Sequence, residues 1–493
     1  MKDSLWGSLT HGYLWNLVAK LVSRFIGIIS LIVLARILTP ADFGIAALTT
    51  MVITLFATLS ETGSTKYLIK SDTLTETQMY QVWSLNLALK SGLYVLLFML
   101  APAISSFLNE PLLTGVIRFA GLLLPIQALK NIRLVELERA LNYAPISKMQ
   151  MTTRLTVFPI TVALALYFED YRALITGSLL SETLVSVLSY RLVPRKPKWI
   201  SRGWLRYLNF SSKMMLVSAS GALRSRIDSL LIGKFLTGKD VGLYRVSQEL
   251  GWLPFSELIE PVTAPLYAAF GKQASDRAAL AHTFNLYLCW TYLLVVPAAL
   301  GVSAVSQPAV AIILGTEWAE LAPVLSLITL LMLTMPLNIG MQNLLTIKEK
   351  LPLLALVDAI IIAAISSVFY FLYRSGEALE GYTIARVGIA VLFLALLSLL
   401  YVRYVSRNLV NLAVIFLVPS FPAIVMFFVV HQLQLFLPVS IISLILVICA
   451  GAITYLLLVL PALALASTFH PGFAVVWKAL SGHFLKLSQK LGR

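Results

Sequence analysis

Leu34-Ala-Arg-Ile-Leu-Thr-Pro-Ala-Asp-Phe-Gly44 and Ile232-Gly-Lys-Phe-Leu-Thr-Gly-Lys-Asp-Val-Gly242 are two versions of one junction, set at a constant offset of 198 residues. In each, an apolar run ends in a base (Arg36, Lys234), Thr-x-x-Asp follows (Thr39 to Asp42, Thr237 to Asp240), and a glycine leads into a new apolar run. Thr-x-x-Asp has the chemistry of a capping box: the hydroxyl accepts from an orphan amide of the first turn and the carboxylate faces the positive helix end. Each junction is therefore one helix stopping and another starting. Two unrelated helix starts would use the same cap, and these residues alone leave that reading open; what surrounds them favours a duplication.

The surroundings are membrane. The 493 residues are 59% hydrophobic and 12% charged, with a mean hydropathy of +0.86, a balance that a water-exposed surface does not tolerate. Unpaired backbone groups are prohibitive in hydrocarbon and the apolar runs exceed about 18 residues, so the spans are expected to be helices and strand barrels are excluded. Cutting at charge, proline and glycine clusters gives about fourteen spans, near 12–38, 43–67, 80–108, 112–138, 145–168, 171–193, 206–236, 241–270, 279–305, 319–347, 352–374, 377–401, 408–432 and 438–466. The junctions follow spans 1 and 7. An even separation preserves orientation, so the halves read as parallel six-helix repeats with two appended helices. The resulting division is an N-lobe over 1–193, a basic cytoplasmic linker over 194–205, a C-lobe over 206–401, helices 13 and 14 over 402–470 and a basic cytoplasmic tail over 471–493.

Lys and Arg collect on the connections after even-numbered spans and in the tail, which places both termini in the cytoplasm. The net charge of +15 thus reads as topology and as attraction to anionic membrane lipids, not as nucleic-acid binding. Trp83, Trp199, Trp204 and Trp318 fall at span ends, where interfacial anchors are expected. The N-terminal apolar segment carries Lys20 and Arg24 and no small-residue cleavage site, so it is expected to remain as span 1. Cys289 and Cys449 lie inside spans without metal or redox spacing, and the five histidines are scattered. No Walker A sequence, GxSxG elbow or dinucleotide fingerprint occurs, and no connection is long enough for a catalytic domain. The expectation is a carrier, not an enzyme, with no metal and no cofactor.

The informative polar residues are the charges inside spans, since an intramembrane charge is costly unless paired or wetted. Span 1 supplies Lys20 and Arg24 at i, i+4, and Arg24 lies ~18 Å along the helix from Arg36, near mid-bilayer. Span 7 supplies Arg224, Arg226 and Asp228, with Arg224 ~15 Å from Lys234. As one continuous helix, span 7 would place Arg224 and Asp228 on one face as a pair and Arg226 on another. Guanidinium groups grip phosphate through paired hydrogen bonds, so Arg24, Arg224, Arg226 and Lys20 are candidate residues for binding an anionic group such as a phosphate. The competing readings are snorkelling for Lys20 and a buried register pair for Arg224 and Asp228. Asp228, Glu61 and Glu260 are candidate coupling or gating carboxylates, with Na+ or H+ as the candidate coupling cation; for Glu61 and Glu260, near the cytoplasmic ends of their spans, solvation at the interface is the favoured competing reading. Lys90, Arg133, Arg154, Glu182, Glu257, Asp358 and Arg386 are also intramembrane and read as cavity or structural pair. Pro159, Pro254, Pro297 and Pro336 are candidate kinks.

The two junctions, together with Ile313-Leu-Gly-Thr-Glu-Trp318 and Ala322-Pro-Val-Leu325, resemble those of bacterial polysaccharide exporters, the Wzx-type lipid-linked oligosaccharide flippases of the multidrug, oligosaccharidyl-lipid and polysaccharide exporter superfamily, in the branch serving colanic acid, succinoglycan and teichuronic acid. That resemblance implies an all-α integral membrane bundle of about fourteen helices, two six-helix lobes forming a V, and a cavity lined by helices 1, 2, 7 and 8. It implies an undecaprenyl-pyrophosphate-linked oligosaccharide as substrate, turned from the cytoplasmic to the periplasmic leaflet of the bacterial inner membrane by alternating access, with polymerase or export machinery as a partner. A cation-coupled multidrug exporter shares the architecture; its cationic ligands call for an acidic cavity, against the Arg24, Arg224 and Arg226 placed here.

Overall fold

The computed structural model describes residues 22–60, 64, 68–69, 74–140, 142–204, 207, 221, 223–259, 263–273 and 275–491. Among these the chain is all helix, and ten helices are long and apolar enough to cross a membrane. This is a multi-pass membrane protein. Two compact units divide at Gly242: Met1–Gly242 and Leu243–Arg493.

The first unit contains α1 (22–37), α2 (Pro40–Leu59), α3 (Glu76–Phe107), the short α4 (Leu113–Ala120), α5 (Leu123–Ala128) and α6 (Leu134–Arg139), then α7 (Ala144–Phe168), α8 (Arg172–Leu192) and α9 (Ile227–Phe235). Expected span 4 is thus three short helices in place of one, broken where Gly121-Leu122 and the polar Lys130-Asn131 interrupt the apolar run. The helix α10 (Gly238–Leu258) starts in this unit and continues into the next.

Both predicted capping boxes form, and they match atom for atom. Thr39 donates its N–H and its hydroxyl to Asp42 Oδ2 at 3.0 and 2.6 Å, and Asp42 N–H donates back to Thr39 Oγ1 at 3.4 Å. The second copy gives 3.0, 2.6 and 3.3 Å for Thr237 and Asp240. Asp42 also accepts from the N–H of Tyr171 at 3.1 Å, tying the first junction to the start of α8.

The linker over 194–204 lies against α3. Gln81 donates to Arg202 O at 2.7 Å, Ile200 N–H donates to Ser84 Oγ at 2.9 Å, and Asn131 donates to Val193 O and Arg195 O at 2.8 and 3.1 Å. Tyr207, buried beyond it, donates to Gln81 Oε1 at 3.1 Å. Beneath this strap Arg133, 5% exposed, pairs with Glu76 at 2.7 Å and Glu136 at 2.8 Å, and Glu76 also meets Arg195 at 3.3 Å. Arg133 is therefore a structural pair. A buried guanidinium held this way fixes how α3 and α6 meet more than it adds net stability.

The second unit contains α11 (Thr263–Lys272), α12 (Arg277–Ile313), α13 (Leu321–Ile328), α14 (Met335–Ile347), α15 (Leu351–Arg374), α16 (Leu379–Tyr404), α17 (Leu409–Phe436), α18 (Ile441–Ala466) and α19 (Pro471–Leu491). The long α12 is its axis, packed along α17, and α18 lies against α17. Helix α12 runs through Pro297, whereas Pro336 follows a 3-10 stretch over Thr329–Thr334, so only the latter coincides with an interruption. Trp318 is fully buried in a 3-10 turn, contrary to the interfacial position expected for it; Trp199, 56% exposed, remains at the surface. Large apolar side chains such as Met99, Phe428 and Leu457 are exposed on spanning helices, as side chains facing lipid are. The tail begins as a docked helix: Phe473 and Val476 of α19 are fully buried, and Gly472 lies so close to α12 that a Cβ there would be 2.9 Å from Cys289 Sγ.

Candidate functional site

Arg24 is half-buried on α1. One turn further, on the same face, is Gly27, and a Cβ built there would lie 3.9 Å from Nη1 of Arg154 on α7. Two guanidinium groups thus share one face of α1 within a rise of ~4.5 Å. The sequence marks Arg154 only as an intramembrane charge; its approach to α1 depends on how α7 crosses, which no local pattern encodes.

Arg224 and Arg226 flank a break. The helical turn carrying Arg224 closes with Ser225 N–H donating to Gly221 O at 3.1 Å and Arg226 N–H donating to Leu223 O at 3.0 Å. Arg226 leaves helical geometry at φ −131°, and α9 starts afresh at Ile227. The continuous helix expected through this span is therefore interrupted. Arg224 and Asp228 do not share a helix face at i, i+4: Arg224 lies before the turn and Asp228 in the first turn of α9. Asp228 is 3% exposed and accepts from Ser229 N–H at 2.8 Å, where a carboxylate complements the amides of a helix start. Arg224 and Arg226 are half-buried. Lys20, Glu61 and Glu260 lie outside the described residues.

The duplicated junctions meet each other. A Cβ on Gly44 would fall inside the carbonyl oxygen of Gly238 and 3.2 Å from Gly242 N; a Cβ on Gly242 would fall inside the carbonyl oxygen of Pro40 and 2.9 Å from Gly44 N. Pro40 corresponds to Gly238, and Gly44 to Gly242, under the 198-residue offset. The first turns of α2 and α10 therefore touch backbone to backbone through equivalent atoms, a contact only glycine permits. Gly233 adds to the seam, since a Cβ there would be 2.5 Å from Leu48 Cδ2. Asn109 donates to Lys234 O at 3.2 Å, and Lys234 Nζ sits 4.8 Å from the Phe107 ring centroid, joining the end of α3 to the second junction.

Known proteins place this architecture. The chain is similar to the succinoglycan biosynthesis transport protein ExoT of Rhizobium meliloti (strain 1021), 24% identical over 66% of each chain. It is also similar to the lipopolysaccharide biosynthesis protein WzxC of Escherichia coli (strain K12), 24% identical over 69% of this chain and 70% of the other. Among solved structures, the inward closed lipid II flippase MurJ superposes with a TM-score of 0.72 at 13% identity, covering 90% of this chain and 98% of that one. An inward-facing multidrug resistance MATE family transporter gives 0.57 at 14%, over 78% and 96%. These two share the fold. Residues 33–323, more than half the chain and spanning both junctions, match the family described as polysaccharide biosynthesis protein, and to that family this chain belongs.

Proposed function

We propose that the protein is a flippase that carries undecaprenyl-pyrophosphate-linked oligosaccharide repeat units from the cytoplasmic to the periplasmic leaflet of a bacterial inner membrane, by alternating access, for exopolysaccharide, capsule or O-antigen synthesis. The family match across both junctions carries the reading; the fold shared with a lipid II flippase supports it. The chain works as a carrier without covalent chemistry. Its head-group site is formed by Arg24 with Arg224 or Arg226, joined by Lys20, and Arg154, beside Gly27 one turn from Arg24, adds a fourth cation. Guanidinium side chains near a helix break suit a pyrophosphate, because a discontinuous spanning helix offers oriented amides beside the cations. The glycan occupies the wet side and the polyprenyl tail stays in lipid. Asp228, Glu61 and Glu260 are the carboxylates assigned to coupling or gating by Na+ or H+, and the products pass to polymerase or export machinery. The working division is an N-lobe over 1–193, the linker over 194–205, a C-lobe over 206–401, helices 13 and 14 over 402–470 and the tail over 471–493, with both termini cytoplasmic.

The test is reconstitution in vesicles with a fluorescent polyprenyl-pyrophosphate glycan and, separately, a cationic dye. Movement of the lipid is expected, and Arg24→Ala and Arg226→Ala are expected to abolish it without loss of membrane insertion. Dye movement without lipid movement favours the multidrug-exporter alternative and defeats the reading; full lipid movement in both variants defeats the phosphate assignment.

A further inference from the structure

The strap over 194–204 carries charge that the fold does not use. It contains four bases, Arg195, Lys196, Lys198 and Arg202, and no acid. Of these, Arg195 meets a carboxylate, Glu76 at 3.3 Å, which Arg133 already shares at 2.7 Å. Lys196, Lys198 and Arg202 are exposed, and among the described residues their side chains have no hydrogen-bond or ion-pair partner. Three positive charges are therefore presented without compensation.

What flanks the strap fixes its level in the bilayer. The last turns of α8 expose Val187 (50%) and Leu192 (37%), so hydrocarbon reaches the end of that helix. The strap leaves from Val193. Trp199 and Trp204 then pair edge to face with ring centroids 5.7 Å apart, and Trp204 packs with Trp83 of α3 against one buried cluster around Met79, Val82 and Leu85. Tryptophans gathered where an apolar helix surface ends mark the head-group layer, and exposed bases at that level face lipid phosphates. The strap is also held in place. Ile200 N–H donates to Ser84, Arg202 O accepts from Gln81, and the carbonyls of Val193 and Arg195 accept from Asn131. Trp204 Nε1 closes the far end by donating to Ile200 O at 2.9 Å. Lys196 to Arg202 is thus a tethered stretch of at most ~21 Å. Bases on a tethered backbone lose less freedom on binding than bases on a free tail.

Charge and apolarity together select the occupant. The bases call for an anion, and the exposed Trp199 and Leu192 call for an apolar body beside it. A glycerophospholipid of net negative charge supplies both. A zwitterionic head group brings its own cation towards the three bases, and an acidic protein would have to displace lipid from Leu192 and Val187. We propose that the strap is a docking surface for anionic phospholipids of the bilayer, with lipid phosphates held by Lys196, Lys198 and Arg202 and Trp199 packed beside the glycerol. The site is local, apart from the general attraction of a chain with net charge +15. It goes beyond the transport reading and does not depend on it.

The test places the full chain in phosphatidylcholine vesicles with a graded fraction of brominated phosphatidylglycerol or of brominated phosphatidylcholine. The contribution of Trp199 is the difference in fluorescence between wild type and Trp199→Phe. Half-quenching is expected at a fraction of phosphatidylglycerol lower by about fivefold or more, the effect of one base at an anionic surface. Lys196→Gln, Lys198→Gln and Arg202→Gln combined should remove the preference. Lys272→Gln, Lys350→Gln and Arg407→Gln combined, which remove the same charge from exposed positions of the second unit, should keep it. Equal half-quenching by the two lipids would overturn the proposal and leave the bases to an acidic protein. A preference that survives the strap variant would also overturn it, and so would one lost equally in the second-unit variant, which would reduce the effect to net charge. Sodium phosphate should relieve quenching no more than sodium chloride of matched ionic strength; greater relief would assign the bases to free phosphate. If Trp199→Phe does not insert, the phosphatidylglycerol retained after detergent exchange, counted by mass spectrometry, decides: at least one lipid fewer in the strap variant than in the second-unit variant supports the site, and equal counts defeat it.

Discussion

Gly44→Ala is the substitution whose consequence the coordinates fix most tightly. The new methyl would overlap the Gly238 carbonyl and sit 3.2 Å from Gly242 N, and both obstacles are backbone, with no side chain able to swing aside. Relief requires the first turns of α2 and α10 to part by more than about 1 Å, and overpacking of this kind costs ~1–3 kcal/mol. If that cost falls only on the state in which the junctions touch, the ratio of closed to parted junctions drops about 5- to 150-fold. The readout is a spin-label distance distribution between Ala41→Cys and Lys239→Cys, two exposed sites beside the seam, with Cys289→Ser and Cys449→Ser removing the native thiols. Gly44→Ala is expected to shift the distribution to longer distance. Gly242→Ala meets Pro40 O and Gly44 N in the same way and should do likewise, and the double variant should add less than the sum because the first substitution already opens the contact. An unchanged distribution in both single variants would refute the argument that this backbone contact holds the junctions together.

Three further outcomes follow from other parts of the fold. Thr39→Ala and Thr237→Ala each remove a hydroxyl that serves the capping box in both directions, so each should lower thermal stability by ~1 kcal/mol and by similar amounts; unequal losses would show that the two boxes do not carry equal weight. Ser84→Ala with Gln81→Ala removes two side-chain contacts of α3 with the strap, and trypsin cleavage at Lys196, Lys198 and Arg202 should accelerate several-fold in folded protein, whereas an unchanged rate would mean that the Glu76 and Asn131 contacts suffice. His470 is buried and accepts from Phe473 N–H through Nδ1 at the start of α19; burial holds its imidazole below the usual range. The folded state therefore favours the neutral ring, so docking of α19 is fully stabilised above about pH 6.5 and weakens as pH falls below it. Hydrogen exchange in residues 471–481 should increase on acidification in wild type and lose that pH dependence in His470→Gln.

The long uninterrupted helices and the duplicated caps are legible because their causes are local: an apolar run long enough to span and a Thr-x-x-Asp at a helix start. The break at Ser225-Arg226 was not, since neither glycine nor proline marks it; the only trace is the cluster Arg224-Ser-Arg-Ile-Asp228 in an otherwise apolar run, which reads equally well as a helix with a paired face. Trp318 reads as interfacial because tryptophan at a span end usually sits there, but the 3-10 turn that carries it packs against α12 and buries it. Arg154 beside α1, the strap on α3 and α19 against Cys289 are contacts across long stretches of chain, invisible to periodicity. The candidate phosphate ligands were identifiable as costly intramembrane charges, and their surroundings were not.

The meeting of Pro40–Gly44 with Gly238–Gly242 has an evolutionary corollary. Equivalent atoms facing equivalent atoms is the signature of an isologous interface, in which one patch is complementary to itself about a two-fold axis. A polypeptide holding a single copy of the junction would already possess both halves of that patch. Such an ancestor would have joined as a homodimer through this surface before its gene was fused in tandem, and the glycines would have been required from the outset, twice over, at the axis.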